Sequence, residues 1–261
     1  MAGTDRSRAE DPAPGPIQIL VRPQMGENIG AAARGMWNFG LDRMRVVDPR
    51  DGWPNPKAVA MASGAGRLLD EAELHADTAS AVADLQVVYA TTARPRELTK
   101  RVLTPEAAMR EAADHIAAGA RVGVLYGAER TGLLNEDVVR ASAVVSVPVN
   151  PAFASLNLAQ CVLLMAYEWR RQMETRPAEE LVTNKSRLAR AEETGRMLDH
   201  LVGALDEAGF FRPAEKRPSM VSNLENLFRR APLTDQDVRT LHGVIRALAG
   251  TRQGARDDAA G

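Results

Sequence analysis

The sequence predicts an α/β protein, a mostly parallel sheet with helices on both faces, followed by a helical extension. Three observations predict it. Short apolar, β-branched runs alternate with longer stretches of helical pattern between residues 17 and 171, as successive βαβ units do. The joints between them carry helix stops and starts such as Gly40 and Thr104-Pro105-Glu106. After about Arg176 no strand-like run follows.

Taken in order, Ile17–Val21 is a first strand, and Asn28–Phe39 is an Ala-rich helix closed by Gly40. Met44–Val47 is a second strand, ended by Asp48-Pro49. Asn55–Met61 is a short helix before the Gly-rich Ser63-Gly64-Ala65-Gly66. Val87–Thr91 is a third strand. Thr104 caps a helix that has Pro at its first position and an acid in its first turn, and runs to about Ala118. Arg121–Tyr126 and Val144–Val149 are the fourth and fifth strands, and Leu156–Arg171 is a long apolar helix. Beyond it, Asn184–Ala208, Arg217–Arg230 and Thr234–Ala249 read as helices. The expected organisation is a disordered tail over 1–15, a main domain over 16–174, a helical extension over 175–250 and a second tail over 251–261.

Composition narrows the function. The chain has 261 residues, 45% hydrophobic and 26% charged, enough for one large domain with an appendage. A single cysteine, Cys161, excludes an internal disulfide framework, and its place in the apolar helix suits a packed thiol. The four histidines lack metal-ligand spacing, so no metal is expected. The net charge is -1, so any nucleic-acid contact must come from local basic patches. No apolar run is long enough to span a membrane and the N-terminal stretch lacks a hydrophobic signal region, so a cytoplasmic location is the expectation.

Ligands of parallel sheets bind at the carboxyl ends of the strands, and four loops there carry unusual residues. After the first strand, Asn28 and Gly30 open a helix that carries Arg34. They suit an anion or ribose contact, or equally a helix cap, a packing glycine and a surface arginine. The third strand ends in Thr91-Thr92-Ala93-Arg94-Pro95-Arg96, able to hold phosphate or to be an ordinary polar loop. The fourth ends in Gly127-Ala128-Glu129-Arg130-Thr131-Gly132-Leu133. Its paired glycines allow close approach of the backbone, but it is neither a Walker A loop nor a G-x-G-x-x-G fingerprint. The fifth passes through Pro148-Val149-Asn150-Pro151 into Ser155-Leu156-Asn157, a strand-to-helix junction with free N–H groups.

Together, Asn28 with Arg34, then Gly127-x-Glu129-x-x-Gly132-Leu133, then Pro148-x-Asn150-Pro151 with Ser155-Leu156-Asn157-Leu158 resemble the three motifs of the TrmH-type SPOUT RNA 2'-O-methyltransferases. The resemblance covers about Ile17 to Arg171. The extension, with Lys216-Arg217, Leu227-Phe228-Arg229-Arg230 and Leu233-Thr234-Asp235, looks like that of the TrmJ subgroup, which modifies the ribose of nucleotide 32 in the tRNA anticodon loop.

The resemblance implies a SPOUT fold with a C-terminal deep trefoil knot, bound S-adenosyl-L-methionine, a homodimer with its site at the subunit interface, and tRNA as partner. It implies that Thr91, Thr92, Ala93, Gly127, Val147, Ser155, Leu156 and Asn157 surround the cofactor, and that Arg34, Asn28, Glu129, Ser155 and Asn157 serve the reaction. Arginine stays protonated, so Arg34 is expected to fix the target phosphate and stabilise alkoxide charge rather than act as a base. Glu129 is expected to hold Asn28 or Arg34. Arg94, Arg96, Lys100 and Arg101, with Arg212, Lys216, Arg217, Arg229 and Arg230, are the expected phosphate-binding surface, a solvated face being the alternative. The same chemistry on another tRNA position or on rRNA, and an RNA-binding protein without catalysis, are the other readings. The missing glycine fingerprint argues against a nucleotide-dependent oxidoreductase.

Overall fold

A computed structural model describes residues 14–93, 99–175 and 185–257. The chain divides into two compact units, Met1–Arg176 and Pro177–Gly261.

The first unit is built on a seven-stranded sheet of order β3-β2-β1-β6-β4-β7-β5, with every neighbouring pair parallel. The strands are β1 Ile17–Val21, β2 Met44–Val47, β3 Glu73–His75, β4 Val87–Thr91, β5 Arg101–Leu103, β6 Val122–Tyr126 and β7 Ala143–Val145. Its helices are α1 Gly26–Asn38, α2 Pro56–Ala62, α3 Gly66–Asp70, α4 Thr78–Val82, α5 Pro105–Ala117, α6 Asn135–Val139 and α7 Leu158–Met173. Strands β1, β2, β4, β6 and β7 are buried along their whole length because helices cover both faces. One core joins Leu20, Tyr89 and Val124 to Ile29, Ala33, Met109 and Val162. The other joins Ile19, Val88 and Leu125 to Ala81 and Val138.

The central strands lie where apolar runs placed them. The sequence reading missed β3 and β5, whose side chains are largely exposed. At three residues each, such edge strands carry no periodicity to read. The fifth strand stops at Val145 rather than Val149, because Ser146 N–H is the last to pair, with the Leu103 carbonyl at 3.0 Å. Helix α7 begins at Leu158, not Leu156.

Two buried polar side chains in the sheet are fully paired, as burial demands. Gln18 accepts from the Tyr126 hydroxyl at 2.5 Å and donates to the Pro16 carbonyl. Arg45 reaches both oxygens of Asp84 at 2.7 and 2.9 Å, and also Glu73. The Arg45 guanidinium holds the Asp84 carboxyl down at about 2.

The second unit contains helices α8 Ala191–Glu207, α9 Arg217–Arg229 and α10 Asp235–Asp257. Met197 and Leu198 of α8 pack on Val238 and Ile245 of α10. Helix α10 continues past the expected end at Ala249, into the segment assigned to a tail. An internal glycine such as Gly250 weakens a helix by about 1 kcal/mol without ending it.

Candidate active site

The carboxyl ends of β4, β6 and β7 open into a cavity of about 280 Å³, near the lower end of small-molecule pockets. Its wall is apolar at Tyr126, Val145, Val147, Leu156 and Leu158, and polar at Thr91, Thr92, Glu129, Arg130 and Ser155. Gly127 and Ala93 are also among its lining residues. Of the eight residues expected around a cofactor, seven line this cavity; Asn157 does not.

Each loop reaches the cavity for a local reason. Thr91 ends β4 with its hydroxyl donating to the Leu125 carbonyl at 2.9 Å, which ties β4 to β6 above the last ladder bond. The loop after β6 folds back on itself: Gly132 N–H donates to the Ala128 carbonyl at 2.7 Å, and Gly132 has φ +67°. A Cβ at position 127 would lie 2.1 Å from both the Gly132 carbonyl carbon and the Leu133 nitrogen. Only glycine permits this fold-back. After β7, Pro151 starts a 3₁₀ turn, Pro151–Phe153, capped by Asn150, and Asn157 then caps α7.

Three loops are joined by one chain of hydrogen bonds. Glu129 Oε2 accepts from the Gln24 N–H at 2.8 Å, and Oε1 accepts from the Met25 N–H at 3.2 Å and from Asn28 Nδ2 at 2.8 Å. Asn28 Oδ1 accepts from Asn157 Nδ2 at 2.9 Å. Asn157 Oδ1 accepts from the Ala159 and Gln160 N–H groups at 2.9 and 3.3 Å. The carboxylate after β6 therefore fixes the loop after β1 and, through Asn28, the first turn of α7. Glu129 pairs with Asn28, which settles the choice between Asn28 and Arg34. Both Glu129 oxygens are thus held by N–H donors.

Asn28 is not a helix cap. Helix α1 starts two residues earlier, so Asn28 lies in its first turn and its side chain turns to Glu129 and Asn157. Gly30 is a packing glycine, since a Cβ there would meet the Ala58 carbonyl oxygen at 2.1 Å. Arg34 stands apart. It is six residues beyond Asn28, about 240° round the helix. It is exposed, is absent from the cavity lining, and has no hydrogen-bond or ion-pair partner among the described residues.

Cys161 packs on the core as expected, and also borders the cavity. Burial pushes its thiol up to about 11, so it is not a thiolate nucleophile at neutral pH. Sequence reasoning missed Tyr126, Val145 and Leu158 in the lining because they read as core. It also missed Asp137, a buried carboxylate that accepts from Arg22, from the Thr78 hydroxyl at 2.6 Å and from the Leu134 N–H at 2.7 Å. Asp137 clamps the far end of the loop after β6 to the loop after β1; only the acid in the first turn of α6 hinted at it.

The expected phosphate-binding surface is partly committed elsewhere. Lys100 donates to the Val139 and Ala141 carbonyls, and Arg101 pairs with Glu111 at 2.6 Å. Arg94 and Arg96 lie outside the described residues. In the second unit Arg217 pairs with Asp206, whereas Arg212, Lys216, Arg229 and Arg230 are exposed.

The sheet and the segment that carries these loops match known proteins. The sequence model of the SpoU rRNA Methylase family matches residues 16–167. The chain belongs to the SpoU methylase family. Family membership makes it a methyltransferase that uses S-adenosyl-L-methionine. A second model, for the C-terminal domain of the tRNA methyltransferase TrmJ, matches residues 192–259. The tRNA (cytidine/uridine/adenosine-2'-O-)-methyltransferase TrmJ of Pseudomonas aeruginosa is 32% identical over 235 residues, covering 87% of this chain and 91% of that protein. The crystal structure of TrmJ from Z. mobilis ZM4 superposes with a TM-score of 0.78 at 46% identity, covering 90% of this chain and 99% of that one. A structure described as giving insight into 2-OH methylation of C/U34 on tRNA superposes with a TM-score of 0.50 at 25% identity, covering 63% of this chain and 100% of that one.

Proposed function

We propose that the chain methylates the ribose 2'-hydroxyl of tRNA, at nucleotide 32 of the anticodon loop. The observation that carries this reading is the Glu129–Asn28–Asn157 chain, which brings the three motifs together beside the cavity. The match of residues 192–259 to the TrmJ C-terminal domain supports tRNA rather than rRNA. It also separates this chain from the C/U34 neighbour, the whole of which corresponds to only 63% of this chain.

The cavity suits the cofactor. Val145, Val147, Leu156 and Leu158 offer an apolar slot for an adenine ring, and Thr91, Thr92 and Ser155 offer polar groups beside it. When bound, S-adenosyl-L-methionine supplies an electrophilic methyl group and a sulfonium charge. Asn28 and Asn157 hold the first turn of α7 in register, so that Ser155 is set at the cavity wall where a ribose hydroxyl would enter. Holding the acceptor oxygen in line with the methyl carbon is where most of the acceleration comes from.

Arg34 acts on the other protomer's site in a homodimer. Its exposure and its absence from its own cavity support this reading. Exposed apolar side chains, Trp37 of α1 and Leu163, Leu164 and Tyr167 of α7, would supply a contact face. The partner subunit's Arg34 would bind the target phosphate and donate to the oxygen as it gains charge, remaining a cation throughout. The C-terminal trefoil knot, a cytoplasmic location and a tRNA-binding role for the second unit belong to the same proposal. Mass-spectrometric mapping of ribose methylation in tRNA incubated with protein and cofactor tests it. Methylation confined to position 34, to rRNA, or to a base would overturn the assignment.

A further inference from the structure

Phe153 belongs to no hydrophobic core cluster among the described residues. The residue is 78% exposed, the highest value among the large hydrophobic residues described. Aromatics are scarce here, with 5 Phe, 3 Tyr and 3 Trp in the chain, and others are put to use. Phe39 meets Tyr167 edge-on at 5.7 Å, and Phe211 is buried. Leaving one ring in water forfeits the burial that an aromatic normally contributes.

The backbone under this ring is fixed. Pro151 opens the 3₁₀ turn, Asn150 Oδ1 accepts from the Ala152 N–H at 3.0 Å, and the Phe153 N–H donates to the Asn150 carbonyl at 2.9 Å. Two residues later Ser155 lines the cavity. The exposed neighbours between positions 148 and 157 are Pro148, Asn150, Pro151, Ala152, Ser155 and Asn157, small or polar rather than large and apolar. The core of a protein–protein contact gathers several large apolar side chains. A single ring on a rigid turn beside hydrogen-bonding groups is instead how proteins hold an unstacked base.

We propose that Phe153 is the stacking platform for the base of the nucleotide whose ribose is methylated. This rests on the reading that the chain modifies a tRNA ribose. A 2'-hydroxyl that enters the cavity leaves its base outside, without its neighbours in the loop. The ring replaces that lost stacking. Every base presents a π face, so the platform holds the nucleotide without choosing its identity.

The test uses the full chain as wild type, Phe153→Ala and Phe153→Tyr, with an anticodon stem-loop carrying 2-aminopurine at nucleotide 32. Stacking predicts that wild type and Phe153→Tyr quench the fluorophore and Phe153→Ala does not. It also predicts that Phe153→Ala loses about five- to a hundred-fold in kcat/KM on tRNA, equally for pyrimidine and purine targets, with unchanged cofactor affinity and unchanged molar mass by light scattering. Wild-type kinetics and quenching in Phe153→Ala would overturn the proposal. So would a fall in molar mass, which would make the ring a protein contact. Failure of wild type to methylate tRNA would sink the functional reading itself, while the fluorescence would still report whether Phe153 stacks the base.

Discussion

Replacing Glu129 by Gln tests the central brace. Glu129 Oε1 serves Met25 and Asn28, and Oε2 serves Gln24. The Gln oxygen can keep the first two partners, but its amide nitrogen then faces the Gln24 N–H, donor against donor. One charge-assisted bond is lost, a loss of about 1.5–3 kcal/mol, and partial exposure places it near 2. For a unit of this size that lowers Tm by about 4–8 °C. The larger effect falls on the reaction, because Asn28 and through it Asn157 lose their register, and a misplacement near 1 Å costs about a hundred-fold in rate. Calorimetry and single-turnover methyl transfer read the two effects. A cycle with Asn28→Ala makes the test specific: the two substitutions should couple by more than about 1 kcal/mol. Additive effects would refute the idea that Glu129 works through Asn28.

Four further outcomes are expected. Arg34→Ala should abolish methyl transfer with cofactor affinity and Tm unchanged, and mixing it with an inactive cavity variant should restore part of the activity; failure of mixed dimers would place Arg34 in its own subunit's site. Gly127→Ala should eliminate cofactor binding in a titration, since its Cβ would collide with backbone at 2.1 Å; normal affinity would show that the loop can re-form. Ending the chain at Arg176 should weaken tRNA in filter binding at fixed salt and flatten the salt dependence, given the exposed Arg212, Lys216, Arg229 and Arg230. In the second unit His242 Nδ1 lies 2.9 Å from His200 Nδ1, and burial, then the His200, Arg246 and Arg196 charges, push the His242 pKa below 6.5. The unfolded state therefore binds the extra proton first, so stability is full above pH 6.5 and falls as pH drops below it. A melting temperature of that unit independent of pH between 7.5 and 5.5 would refute this.

Much of this was legible in the sequence, for reasons that can be named. The inner strands are short apolar runs, and all but the last of them, which stops at Val145, fold close to the bounds read. Seven of the eight residues expected around the cofactor line one cavity. What could not be read was partnership. Asn28 was a plausible cap until α1 proved to begin at Gly26. Lys100 and Arg101 looked like free cations, yet backbone carbonyls and Glu111 hold them. Asp137 was one acid among many, because burial comes from β1 and α4, distant in sequence. Pairing across 100 residues leaves no local pattern, whereas burial of a strand does.

Two of the three donors to Glu129 are main-chain groups, those of Gln24 and Met25. The grip on that loop is thus indifferent to which side chains sit there, proline excepted. Positions 24 and 25 are free to vary for other ends, and the Met25 side chain is already 46% exposed. Substrate preference could be retuned at this rim without loosening the brace beneath it.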